Sequence, residues 1–233
     1  FDLYGYARTF SDTVTLGALP GRNFEAWLVE AQGTGTTVTI AAGAPQAPTI
    51  FLGGDGAVIN NASTSGRLAV RSSVNPINPP SSLQLSSLIN NGDVTAIDLF
   101  VQQTLNTGNV GSVNLTTQSA VRIIAAGDAS FANTGTITTG GMFPTVELFG
   151  GNLTSFNFSN SGSITNGGVS AVLSYLPDTP NAMTTFNNSG TINSSVENSV
   201  ALGITSFVPS NASLTLNNSG LIETLGQGGT GVY

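Results

Sequence analysis

The chain contains no cysteine, no histidine and no lysine. Without cysteine there are no disulfides, no thiolate metal sites and no thiol nucleophile. Without histidine the usual general base and the commonest metal ligand are missing. The cations are five arginines against twelve acids, a formal net charge of −7. So few positive charges exclude a phosphate-binding footprint for nucleic acid and a basic patch for anionic lipid. Charged residues of both signs make up only 7% of the chain, against roughly 25% in ordinary soluble proteins. No apolar run approaches the length of about 18 residues that a spanning helix needs. The chain opens on Phe1 rather than Met, as expected of a processed or trimmed product.

Glycine, serine, threonine and asparagine fill the space that charge leaves, and one phrase recurs among them. It reads Phe131-Ala-Asn133-Thr-Gly135-Thr-Ile137, Phe158-Ser-Asn160-Ser-Gly162-Ser-Ile164, Phe186-Asn-Asn188-Ser-Gly190-Thr-Ile192 and Leu216-Asn-Asn218-Ser-Gly220-Leu-Ile222. The asparagines are 160 − 133 = 27, 188 − 160 = 28 and 218 − 188 = 30 residues apart. Asn106-Thr-Gly108-Asn-Val110 lies 27 residues before the Asn133 copy and is read as a fifth member, with Ser65-Gly66-Arg-Leu68 as a degenerate one. Each copy is followed by a second apolar strand, such as Ala120–Ile124, Thr145–Phe149, Ala171–Tyr175 and Val200–Ile204.

A unit of about 28 residues cannot bury its own apolar strands, but stacked units can. The period is too long for leucine-rich repeats, too short for propeller blades and lacks a helical pattern. The expected fold is all-β: a right-handed parallel β-helix, or β-solenoid, with ladders of Phe, Ile and Asn along the stack. The glycine of Asn-x-Gly is expected to turn a corner at positive φ. The asparagine is expected to pair with its equivalent in the next coil.

Two domains are expected: residues 1–35 as an N-terminal aromatic cap or docking segment, and residues 36–233 as the solenoid. Phe24, Trp27, Leu28 and Ala31 fit a short amphipathic helix over 23–32, while Phe24, Ala26 and Leu28 also alternate as an edge strand would. The prolines between Asn75 and Pro80 exclude a central strand and predict a surface loop over 74–82.

The Asn-Ser-Gly-Thr-Ile phrase with its following small-residue strand resembles the β-helical repeats of Gram-negative surface proteins, namely autotransporter passenger domains and filamentous-haemagglutinin-like adhesins. The resemblance covers about residues 100–225 well and 50–100 loosely. It implies an extracellular or cell-surface location and a passenger-like part without a barrel anchor.

No residue cluster announces a reaction, so no catalytic, cofactor-binding or metal-binding residue is expected. The acids Asp93, Asp98, Asp128, Glu147, Asp178, Glu197 and Glu223 are scattered. Arg122 beside Asp98 or Glu147 on neighbouring coils is the one grouping a polysaccharide-cleaving β-helix would need. Gly53-Gly-Asp-Gly56 occurs once and is read as a turn, not a calcium repeat. Gly226–Gly231 is Gly-rich but opens no helix and has no Lys-Ser/Thr, so phosphate binding is not expected. Asn-x-Ser/Thr sites occur at Asn61, Asn114, Asn152, Asn157, Asn187, Asn193, Asn211 and Asn217, with Asn187 and Asn217 expected to point outward. Outward Ser, Thr and Asn rows and Tyr175 offer a surface for glycans. Both solenoid ends expose strand edges, which invites head-to-tail self-association. These features predict a non-catalytic extracellular structural protein, an adhesin or filament subunit; the alternative is a polysaccharide-binding or polysaccharide-cleaving β-helix.

Overall fold

A computed structural model of the chain describes residues 4–9, 13–16, 26–31, 36–44, 49–52, 56–63, 67–72, 85–91, 96–100, 104–107, 110–112, 121–140, 143–167, 170–176, 181–206 and 211–233. Among them there are strands and turns and no helix, hence none long and apolar enough to cross a membrane. The strands begin with β1 (Tyr4–Thr9), β2 (Thr13–Leu16), β3 (Ala26–Ala31), β4 (Thr36–Ile40), β5 (Thr49–Leu52) and β6 (Gly56–Asn60). They continue with β7 (Arg67–Ser72), β8 (Leu85–Asn90), β9 (Ala96–Phe100), β10 (Thr104–Thr107), β11 (Val110–Ser112), β12 (Val121–Asn133), β13 (Thr136–Thr139) and β14 (Val146–Asn160). The last are β15 (Ser163–Asn166), β16 (Ser170–Leu176), β17 (Met183–Asn188), β18 (Thr191–Ser194), β19 (Val200–Ser206), β20 (Ser213–Asn218), β21 (Leu221–Thr224) and β22 (Thr230–Val232).

Parallel pairing arranges these strands in three stacks. The first runs β1, β3, β5, β7, β9, the start of β12, the start of β14, β16, β19 and β22. The second runs β2, β4, β6, β8, β10, the ends of β12 and β14, β17 and β20. The third is a separate five-stranded sheet of β11, β13, β15, β18 and β21. The molecule is a parallel β-solenoid. Its regular part takes Val110 to Ile137, Ile164, Ile192 and Ile222 in four steps of 27, 27, 28 and 30 residues.

Alternation sends one row of each strand inward. In the second stack Val38, Val58, Leu88, Phe131, Phe158 and Phe186 occupy one register line and are buried. In the first, Leu68, Ile97, Val121, Val146, Val172 and Leu202 do the same. In the third, Ile137, Ile164 and Ile192 complete the core. The rings of Phe131 and Phe158 stack with centroids 5.1 Å apart, and those of Phe158 and Phe186 at 5.0 Å. That distance is close to the spacing of neighbouring strands, so the backbone ladder imposes the aromatic one.

The corner between the second and third stacks repeats without variation. Phe131 to Ile137, Phe158 to Ile164, Phe186 to Ile192 and Leu216 to Ile222 all span six residues (137 − 131 = 6, and likewise for the others). Inside the corner, Nδ2 of Asn133 donates to Oδ1 of Asn160 at 2.8 Å, Asn160 to Asn188 at 2.8 Å and Asn188 to Asn218 at 2.8 Å. Each Nδ2 also donates to the carbonyl two residues on, at Gly135, Gly162, Gly190 and Gly220. Buried asparagine is thus satisfied along the stack, as expected. The glycine has a different reason from the expected one. Among the described residues only Gly43 and Gly228 have glycine φ in the left-handed region. Gly162, Gly190 and Gly220 are required by close approach: a Cβ would lie 2.0–2.1 Å from the glycine carbonyl oxygen of the preceding coil.

Four further expectations need correction or completion. Of the helix and edge-strand readings over 23–32, the described residues Ala26–Ala31 form a strand, β3, paired with β1 and β5 and so not at an edge. Its six described residues alternate as well as they spiral, and parallel neighbours on both sides decide between the two. On either side of the expected boundary at residue 35, β2 and β4 pair in parallel. In the fifth copy, Thr107 and not Asn106 aligns with Asn133, while Val110 does align with Ile137. The corner there is one residue shorter, which shifts the asparagine off the ladder. Leu68 of the supposed degenerate copy lies in the first stack beside Ile97, so it belongs to the other ladder. Asn60 and Asn90 are instead the earlier ladder members, both buried and joined at 2.6 Å. The loop expected over 74–82 lies outside the described residues.

Candidate functional site

Outward positions carry the polar residues. On the first stack Asp98, Arg122 and Glu147 share one register line across three coils. Arg122 Nε lies 3.3 Å from Glu147 Oε2, with the side chains 42% and 17% exposed. The line is bounded by Ala69 below Asp98 and Leu173 above Glu147. The structure therefore aligns the one grouping singled out from sequence, although the Asp98 side chain lies outside the described residues. Among the described residues Glu197 and Glu223 do not join it, and Asp128 lies further along β12 in register with Ser155. Glu223, on the third stack, accepts a hydrogen bond from Asn193 Nδ2 at 2.9 Å, and Glu197 is exposed in the turn before β19. Asp93 and Asp178, with Gly53–Asp55, lie outside the described residues. Among the described residues no group of three or more His, Cys, Asp or Glu converges. Gly226–Gly231 forms the turn into β22, with Gly228 at φ +73° above Asn198 at φ +58°.

Beside the inner asparagine ladder runs an outer one. Asn187 Nδ2 donates to Asn157 Oδ1 at 3.2 Å and Asn217 Nδ2 to Asn187 Oδ1 at 2.9 Å. Asn91 bonds Asn61 in the same way at 2.9 Å. Asn157 and Asn217 are exposed and Asn187 half-buried, so these glycosylation-type sites do face outward. Their amides are engaged along the stack. Asn187 and Asn217 line a shallow groove with Ser159, Asn188, Ser189, Leu216, Asn218 and Ser219. Tyr175 is half-buried, in register with Phe149 and Thr205.

The most distinctive surface is the face of the last coil, which sequence reasoning had marked only as an uncapped edge. Leu216 continues the phenylalanine line but is 39% exposed, where Phe186 is 1% exposed. Leu214, Leu221, Leu225, Val232 and Tyr233 are exposed beside it. The polar groups there are those that every preceding coil presents to its successor. Asn188 O accepts from Ser219 N at 2.8 Å and Gly220 N at 3.1 Å, and Gly190 O accepts from Leu221 N at 2.9 Å. Asn218 and Gly220 stand at the equivalent positions of the coil that carries β20 and β21. Among the described residues the Asn218 Nδ2 donates only to Gly220 O, at 3.2 Å.

The fold places the chain in the class of parallel β-solenoids. No family model, no curated protein and no solved structure matches it.

Proposed function

We propose that this is a non-catalytic structural protein of the cell exterior: a β-solenoid rod that adheres through its polar outer rows and associates through its end. The resemblance of its phrase to bacterial surface repeats supports the extracellular setting. The observation that carries the reading is the unbroken parallel stack, in which each coil from β12 onward sets its strand, its asparagine and its apolar residue on those of the coil before. Exposed apolar strands with open edges recruit further strands. A low charge content leaves little repulsion to oppose that contact. Adhesion to glycans or to a host surface would use the flat Asn and Ser rows beside the groove.

The test is electron microscopy of the purified chain over a concentration range, paired with binding to glycan arrays and cell surfaces. Concentration-dependent end-to-end association or saturable surface binding is the expected result. Isolated rods at every concentration that bind no surface would sink the proposal.

A second reading, polysaccharide cleavage, draws on the alignment of Asp98, Arg122 and Glu147. It requires that Glu147→Gln abolish depolymerisation of some polysaccharide. Absence of turnover on a broad panel by the unaltered chain leaves the structural reading standing.

A further inference from the structure

Charge is not spread evenly around the stack. The charged residues of strands β3 to β18 are Glu30, Arg67, Arg71, Asp98, Arg122 and Glu147, all on the first stack, and Asp128 at the bulge in β12. The second stack differs. Two of its register lines alternate with the buried Val38, Val58, Leu88, Phe158 and Phe186. They run over the seven strands β4, β6, β8, β10, β12, β14 and β17, from Thr37 and Thr39 to Thr185 and Asn187. Every residue on them is Ala, Ser, Thr, Asn or Ile, with no charge and no aromatic ring. Their described members are half-buried, except Asn157, which is exposed. Ile59 and Ile89 are among them, in register on adjacent strands.

We infer that this uncharged face pairs with the same face of a second copy of the chain, with Ile59 and Ile89 in the contact. The chain carries a net charge of −7, so two copies repel, and least through a face that carries no charge. The half-exposed Ile59 and Ile89 offer apolar surface that a facing sheet removes from water. A second copy also has the same spacing of rows, about 4.8 Å per coil. Small side chains of one sheet then fit between those of the other along the whole stack, as in dry interfaces between paired sheets. A partner of different period falls out of step after a few coils. The asparagine amides do not oppose covering, because Asn187 Nδ2 already donates to Asn157 Oδ1 at 3.2 Å. One patch serves on both copies, so the contact closes as a two-fold pair. Seven strands of about five residues present roughly 500 Å² of flat face per copy. That is smaller than the roughly 800 Å² per partner of a standard interface, which makes the pair a micromolar one. This lateral contact is separate from the end association of the proposed function, and the two fail independently.

The experiment is sedimentation equilibrium of the full chain across the micromolar range, at low and high salt. The expected result is an association that stops at the dimer. Added salt should strengthen it, since screening weakens the repulsion of the net charge and no ion pair at the contact is lost. Ile89→Glu and Ser159→Glu each set like charges against each other across the two-fold contact and are expected to weaken the dimer by roughly tenfold or more. Thr138→Glu, half-buried on the third stack, is expected to leave it unchanged. Circular dichroism checks the fold of each variant, and Ser159→Glu keeps the test decisive should Ile89→Glu disturb it. A monomer at every concentration overturns the inference, as does a dimer that salt dissociates or that Ser159→Glu leaves intact. Open-ended growth insensitive to Ser159→Glu assigns association to the ends, overturning the lateral contact while the proposed function stands. Saturable surface binding by a chain that stays monomeric has the same meaning.

Discussion

At Gly190 a methyl group in place of a hydrogen would sit 2.1 Å from the Gly162 carbonyl oxygen. That oxygen already accepts from Thr191 N at 2.9 Å, so neither side can yield without opening the ladder. Gly190→Ala is therefore expected to cost about 3 kcal/mol, the upper end of overpacking penalties, measured by denaturant unfolding. A loss below about 0.5 kcal/mol would show that neighbouring coils do not approach this closely. The neighbouring asparagine gives a second prediction. Asn160 accepts from Asn133 and donates to Asn188, and all three are buried. Asn160→Ala takes one acceptor from Asn133 Nδ2, which keeps Gly135 O and Ser163 O, and removes the donor to Asn188 Oδ1, at roughly 1–3 kcal/mol in all. Asn218→Ala is expected to cost only a few tenths of a kcal/mol, because exposed groups can turn to water. Equal costs at the two positions would mean that the ladder contributes nothing as a ladder.

Among the elements, the stacked rings of β12, β14 and β17 hold the second stack together. Phe158 lies between Phe131 and Phe186, with ring centroids 5.1 and 5.0 Å away. Phe158→Ala is expected to destabilise the chain by about 4 kcal/mol, as buried Phe→Ala changes do. Leu216→Ala, at a half-open position in the same line, should cost about 1 kcal/mol. Because the rings touch, the double change of Phe131 and Phe158 should fall short of the sum of the single ones, and strict additivity would contradict the stacking. These elements also show what could be read without coordinates. The four phrases were legible because their corner has a fixed six-residue span and a glycine that nothing else can replace. Asn60 was hidden because its corner reads Asn60-Asn-Ala62 with no glycine, and Asn90-Asn-Gly92 has the glycine but lies 133 − 90 = 43 residues before Asn133, out of step with the later copies. The signal was nonetheless present, in Val58-Ile-Asn-Asn and Leu88-Ile-Asn-Asn 30 residues apart (88 − 58 = 30). Trp27 and Leu28 suggested a helix because six residues cannot separate a period of 3.6 from one of 2; only pairing with β1 and β5 does so.

Over the whole molecule, each coil touches only its neighbours, so stability is close to a sum of coil and interface terms. The final coil has one interface where inner coils have two. Its backbone N–H groups are bonded to the coil before, at Asn188 O, Gly190 O and Ser194 O, yet it should open without the rest. Hydrogen exchange is expected to be fastest in β20 and β21 and slowest around β14 and β17, even though all four have the same local sequence pattern. Uniform protection would indicate a single cooperative unit. The same logic makes truncation informative. A chain ending at Ser206 loses β20, β21 and β22 and turns Phe186, Asn188 and Gly190 into the new face, which is chemically the old one with a larger apolar residue. It should remain folded by circular dichroism, with only the stability of the lost coil removed. Should the truncated chain unfold, the coils are not separable units.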